Sequence, residues 1–122
     1  MASTPSNVPV RLLYSGAFKR QLRELAKRYR NIRSDLAPVL AQIQVGEMPG
    51  DQVPGTGYAL YKVRVANRDA RRGKSGGYRV IYYLQTDIDR VLVTLYSKSD
   101  QSDIATAELR RIIEMQDADP AP

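Results

Sequence analysis

The stretch RRGKSGGYRVIYYL, Arg71 to Leu84, decides how the rest of the chain is read. A Gly-Lys-Ser that opens a helix cradles a nucleotide; one that opens a strand is a glycine turn or a basic hook. The phosphate-cradling motif needs a glycine five positions ahead of the Gly-Lys-Ser glycine, so that successive backbone N–H groups wrap the phosphates. That position, ahead of Gly73, is Arg68. The motif also needs a helix N-terminus aimed at the anion, whereas YRVIYYL is β-branched and aromatic with a period of two. The nucleotide reading fails on both counts. What remains is a loop with Arg68, Arg71, Arg72 and Lys74, loosened by Gly73, Gly76 and Gly77, that opens into a strand.

Working outward, two more strands flank this one: YALYKVRVAN at 58–67 and RVLVTLYS at 90–97, with TDID as a tight turn before the latter. VPVRLLYS at 8–15 reads as a first strand, and its Ser15 is placed to cap the next element. From Gly16 the period changes to helical: Phe18, Leu22, Leu25, Ala26 and Tyr29 share one face and the basic residues the other. A second helix carries Ile32, Leu36, Val39, Leu40 and Ile43, with Pro38 in its early turns or at a bend. GEMPGDQVPGTG, 46–57, is a loop by composition. A last helix over 102–115 has a stripe of Ile104, Ala105, Leu109, Ile112 and Ile113. The expected fold is α+β: a mostly antiparallel four-stranded sheet packed by two N-terminal helices and a C-terminal helix. Residues 9–115 form one domain in this reading, between tails at 1–8 and 116–122.

The 122 residues include no cysteine and no histidine. Thiol nucleophiles, the Ser-His-Asp triad and the usual zinc ligand sets are therefore excluded together. An enzyme made of this chain works with Lys, Arg, Tyr, Ser or carboxylates. The N-terminus has neither the charge nor the apolar run of a secretory signal, and no segment is apolar enough to span a bilayer, so a cytoplasmic protein without membrane contact is expected. The net charge is +6. The cations are clustered: Lys19, Arg20, Arg23, Lys27, Arg28, Arg30 and Arg33 accompany only Glu24, and Lys62, Arg64, Arg68, Arg71, Arg72, Lys74 and Arg79 accompany only Asp69. Clustering of one sign suits a phosphate-backbone binder.

Strand alternation puts Lys62 and Arg64 on one face of YKVRV, and Arg79 with Tyr83 on one face of YRVIYYL, opposite Tyr78, Val80, Tyr82 and Leu84 as the core side. If the strands pair, the cations converge, and Lys98 just past the third strand joins them. A solvated sheet face is the alternative for any one of these cations. For the set, like charges on adjacent strands repel, and a binding function explains why they are kept together. The loop is either a connector or a phosphate hook in which Ser75 is a further contact, and the tyrosines either pack or stack on bases. RNA carries its own nucleophile, the 2′-OH. Its scission needs a proton acceptor, cations around the phosphate and a donor for the leaving 5′-oxygen, with no metal or cofactor.

The combination of RLLYSGAFKRQLRELAKRYR, YKVRV, GKSGGYRVIYY and LYSKSDQSDI resembles the RelE/ParE superfamily of type II toxin–antitoxin toxins, especially its RelE/HigB-like branch. The likeness covers roughly 9–115 and GKSGGYRV is its most specific part. It implies a microbial-RNase-like fold and a ribosome-dependent mRNA endonuclease (mRNA interferase) that inhibits translation and is neutralised by a cognate antitoxin. By the same resemblance Lys62, Arg64 and Arg79 are catalytic or phosphate-stabilising, and Lys98 matches a family lysine. Arg68, Arg71, Arg72, Lys74, Ser75 and Tyr83 would contact RNA. Ser99 stands where an arginine is expected and Ala105 near a tyrosine of some members, so the stacking and leaving-group roles have no occupant. A gyrase-directed ParE-type toxin, and a catalytically weak homologue that mainly binds its antitoxin, are the other readings.

Overall fold

The computed structural model describes residues 10–69, 76–101, 103–115 and 117–121. Its elements are β1 (Arg11–Tyr14), α1 (Gly16–Arg28), α2 (Ile32–Gln44), β2 (Asp51–Gln52), β3 (Leu60–Val65), β4 (Tyr78–Leu84), β5 (Asp89–Ser97) and α3 (Thr106–Met115). The five strands form one mixed sheet in the order β1-β5-β4-β3-β2. Only β1, paired with β5, is parallel to its neighbour. The α+β class therefore holds with one strand more than expected.

That extra strand, β2, lies inside the stretch expected to be a loop. Nothing in Asp-Gln favours a strand. It forms because Gly50 brings the chain against β3: its φ is 92°, and a Cβ there would sit 2.3 Å from the Lys62 carbonyl oxygen. Only glycine permits that approach.

Helix α1 begins where Ser15 predicted. Its hydroxyl accepts the Phe18 N–H at 3.0 Å and donates to the Val93 carbonyl at 2.6 Å, so one side chain both caps the helix and ties it to β5. Pro38 falls in the second turn of α2 and not in the first. Helix α3 starts at Thr106, later than its apolar stripe suggested, and the Ala105 carbonyl accepts the Glu108 and Leu109 N–H groups. Beyond α3 the chain returns to the sheet. Tyr14 and Asp119 exchange backbone hydrogen bonds, Asp117 accepts the Gly16 N–H, and Asp119 pairs with Lys19 at 2.6 Å. Residues expected as part of a polar tail are thus bonded to β1 and the start of α1.

Both faces of the sheet are covered. On one, Phe18, Leu22 and Leu25 of α1 and Ile32, Leu36 and Ile43 of α2 pack on Val63, Val65, Tyr78, Val80, Tyr82, Leu92 and Leu95. On the other, Leu109 and Ile112 of α3 pack on Leu60, Ile81, Val91 and Val93. Residue Val93 is an extra residue in β5, since Ile81 pairs with Thr94 and Tyr82 with Leu92. No helix among the described residues is long and apolar enough to cross a membrane.

Candidate functional site

The β3–β4 register places Arg64 directly opposite Arg79, and β5 places Tyr96 on the other side of Arg79. Directly opposed residues share a sheet face, so Arg64, Arg79 and Tyr96 form one row across three strands. Lys62, opposite Ile81, lies on the same face two residues along β3. This is the face that α3 covers, but α3 covers only its apolar half. Leu60, Ile81, Val91 and Val93 lie under the helix, and Lys62 borders its start in a cavity shared with Thr106 and Leu109. The face expected to be cationic is therefore divided.

Arg79 is 6% exposed, and its Nη1 donates to the Tyr78 carbonyl at 3.2 Å. A guanidinium held this deep is oriented by its surroundings, and its attraction for an anion is little screened by water. Arg64 is exposed. Lys62 reaches toward the segment before α3, where its Nζ donates to Asp103 Oδ1 at 3.3 Å. The same oxygen accepts the Tyr96 hydroxyl at 3.3 Å and the Ile104 N–H at 2.8 Å. The Asp103 carboxyl is held below the usual carboxylate range by the Ile104 N–H, then by Lys62 and Tyr96, against an opposing effect of burial. The Tyr96 phenol is pushed up to about 12, chiefly by burial, with the Asp103 charge adding and the Arg79 charge opposing. Tyr96 stays protonated and a donor at neutral pH.

Of the other expected site residues, Lys98 follows Tyr96 by two positions, whereas Tyr83 and Arg68 lie elsewhere. Lys98 is half-buried at the end of β5, where its backbone N–H donates to the Gly77 carbonyl at 2.9 Å. Tyr83 shares the face of Arg79 but lies four residues along β4, roughly 13 Å at ~3.3 Å per residue. There it packs edge-on against Tyr58, with ring centroids 5.4 Å apart, beside the α3 cluster. Arg68 faces α2: its Nε and backbone N–H donate to the buried Asp35 carboxylate and its Nη2 to Ser34. It fastens the end of β3 to that helix. Arg71, Arg72, Lys74 and Ser75 lie outside the described residues.

Sequence reasoning left Tyr96 between core packing and base stacking, and it missed Asp103. The place of Tyr96 beside Arg79 was not legible, because it depends on the β4–β5 register. Asp103 was hidden in an expected helix. A cleft of about 530 Å³ runs between α1 and the end of β5, lined by Arg20, Arg23, Arg28, Tyr96 and Ser97 among others. Arg28 is paired there with Asp100 at 2.9 Å and lies 4.9 Å from the Tyr29 ring centroid. The basic side of α1 thus borders the row of site residues.

The family model described as the RelE toxin of the RelE/RelB toxin–antitoxin system matches residues 16–118, from the first residue of α1 to the segment that returns to β1. That span includes every sequence-predicted site residue as well as Tyr96 and Asp103. The chain belongs to the RelE toxin family of toxin–antitoxin systems.

Proposed function

We propose that this toxin is a metal-independent endoribonuclease that cleaves mRNA on the ribosome and is held silent by a cognate antitoxin. The observation that carries the reading is the row of Arg64 opposite Arg79 with Lys62 two residues away on the same face. Two like charges at directly opposed strand positions destabilise a sheet. A bound phosphate removes that penalty. In the reaction the 2′-oxygen loses its proton and bonds to phosphorus while the P–O5′ bond breaks and the 5′-oxygen takes up a proton, leaving a 2′,3′-cyclic phosphate and a 5′-hydroxyl. Arg79, fixed by burial, and Arg64 bind the non-bridging oxygens as charge builds on them. Lys62 and Lys98 are the groups for proton transfer and further charge stabilisation. The buried Arg79 in that row supports this reading over the gyrase-directed one, since association with a protein surface needs no cation at that depth.

The test is induction of the chain alone in bacteria, with cleavage sites mapped on cellular mRNA. The expected result is growth arrest with cuts in translated messages. Arg79→Ala should relieve both while the protein stays folded, because losing one such transition-state contact lowers the rate by roughly 10²–10³. Toxicity untouched by Arg79→Ala would remove the catalytic assignment. Arrest without mRNA cuts, together with inhibited gyrase, would favour the ParE-type reading.

A further inference from the structure

Asp103 lies in the short connection between β5 and α3, and its side chain is 64% exposed. It is not the N-cap of α3, which begins at Thr106 with the first helical bonds taken by Ala105. Its Oδ1 instead gathers three donors of different kinds: the Lys62 ammonium, the Tyr96 hydroxyl and the Ile104 amide. An ammonium, a phenol and a backbone N–H converging on one anionic oxygen are the donor set that a phosphate oxygen takes. Two of the three belong to the site face, one residue being Lys62 itself. Beside them a cavity of about 220 Å³ opens between β2, β3 and the start of α3, lined by Asp51, Lys62, Ile81 and Asp103 among others.

We propose that Lys62, Tyr96 and the Ile104 N–H form a phosphate subsite for the RNA backbone, and that the Asp103 carboxylate occupies it in the unliganded toxin as a built-in competitor. The inference rests on the nuclease reading above and assigns Tyr96 and Ile104 to substrate binding. An exposed ion pair holds its partners weakly, by about 0.2–1 kcal/mol. A phosphate that also engages Arg64 and Arg79 is therefore able to displace the carboxylate. The alternative role for Asp103, a proton acceptor, suits the geometry less well. A carboxylate already stabilised by three donors is a poor base near neutral pH.

The experiment measures binding of a short 2′-O-methyl RNA, which cannot be cleaved, to the full chain by fluorescence anisotropy at fixed salt. In parallel, inorganic phosphate is titrated while the Lys62 and Tyr96 resonances are followed by NMR. Asp103→Ala should tighten both ligands by about 1.4- to five-fold, the equilibrium equivalent of an exposed ion pair. Tyr96→Phe should weaken both. In a Lys62→Met background the gain from Asp103→Ala should vanish, because the competition is over Lys62. Unchanged or weaker phosphate binding in Asp103→Ala overturns the inference. RNA binding that is the same in wild type and Arg79→Ala, with phosphate still tightened by Asp103→Ala, would count against the nuclease reading and leave the subsite standing.

Discussion

The two faces of the sheet are built from the same strands, yet they are covered differently. The face under α1 and α2 is apolar from Val65 to Tyr82, and two helices seal it. The face under α3 buries Leu13, Leu60, Ile81, Val91, Val93 and Tyr96, and then gives way to Lys62, Arg64 and Arg79. One face holds the protein together. The other gives up part of that stabilisation to keep cations in a fixed row. The lesson is that alternation along a strand shows which residues share a face but not how much of that face a helix will cover.

The sharpest way to break this comparison is to remove one core side chain from each face. Phe18, fully buried between α1 and the sheet, should lose about 3–5 kcal/mol of stability on substitution by alanine. Leu109→Ala, on the face where α3 contributes only Leu109 and Ile112 as buried residues, should lose less, about 2–3 kcal/mol. Denaturant titrations of both variants decide it. Equal losses would mean that the α3 face contributes as much to stability as the other.

A smaller effect separates stability from function on the cationic half. Arg64→Leu removes one of two opposed like charges, so its unfolding midpoint should be unchanged or raised, by about 0.2–1 kcal/mol. Growth arrest should nevertheless be lost. A destabilised Arg64→Leu protein would show that Arg64 belongs to the fold and not to the site.

The smallest effects concern pH, and their signs differ. The Asp103 and Asp89 carboxyls sit below their ordinary values, Asp89 chiefly through the Arg11 hydrogen bond. A depressed carboxyl contributes stability that is present above its unfolded value near 4 and is lost as pH falls through the folded value. Tyr96 is raised to about 12, so its contribution is complete below about pH 10 and is lost as pH rises from there toward 12. Tyr96→Phe should therefore flatten the alkaline arm of a stability–pH curve and, by removing one of the donors that hold Asp103 down, weaken the acid arm only slightly. An alkaline arm unchanged by this substitution would place the whole effect on the opposite face, where burial also raises Tyr78 and Tyr82.

Much of the molecule was legible from local pattern. Ser15 marked the start of α1, the helical stripes gave α1 and α2, and period-two alternation gave β3, β4 and β5 with the core side of β4 correctly chosen. The misses have one cause. β2 has no propensity of its own and exists because Gly50 lets the chain approach Lys62. Helix α3 starts late, and Asp103 ahead of it is engaged by Lys62 and Tyr96, which are remote or on another element. Arg68 looked like part of a basic loop because its partner, Asp35, is remote in sequence.

The sequence by itself determined that this chain has no thiol or imidazole chemistry, that its cations are clustered over 19–33 and 62–79, and that its motifs resemble those of RelE toxins. These follow from composition and from periods set by backbone geometry, which need no partner to be read. Only the tertiary structure decided that Arg64 faces Arg79, that Tyr83 packs away from them, and that Asp103 lies between Lys62 and Tyr96. Each of these depends on strand register or on a contact between distant segments. A shift of one residue along a strand turns every side chain to the other face, so alternation within a single strand cannot fix its neighbour's place.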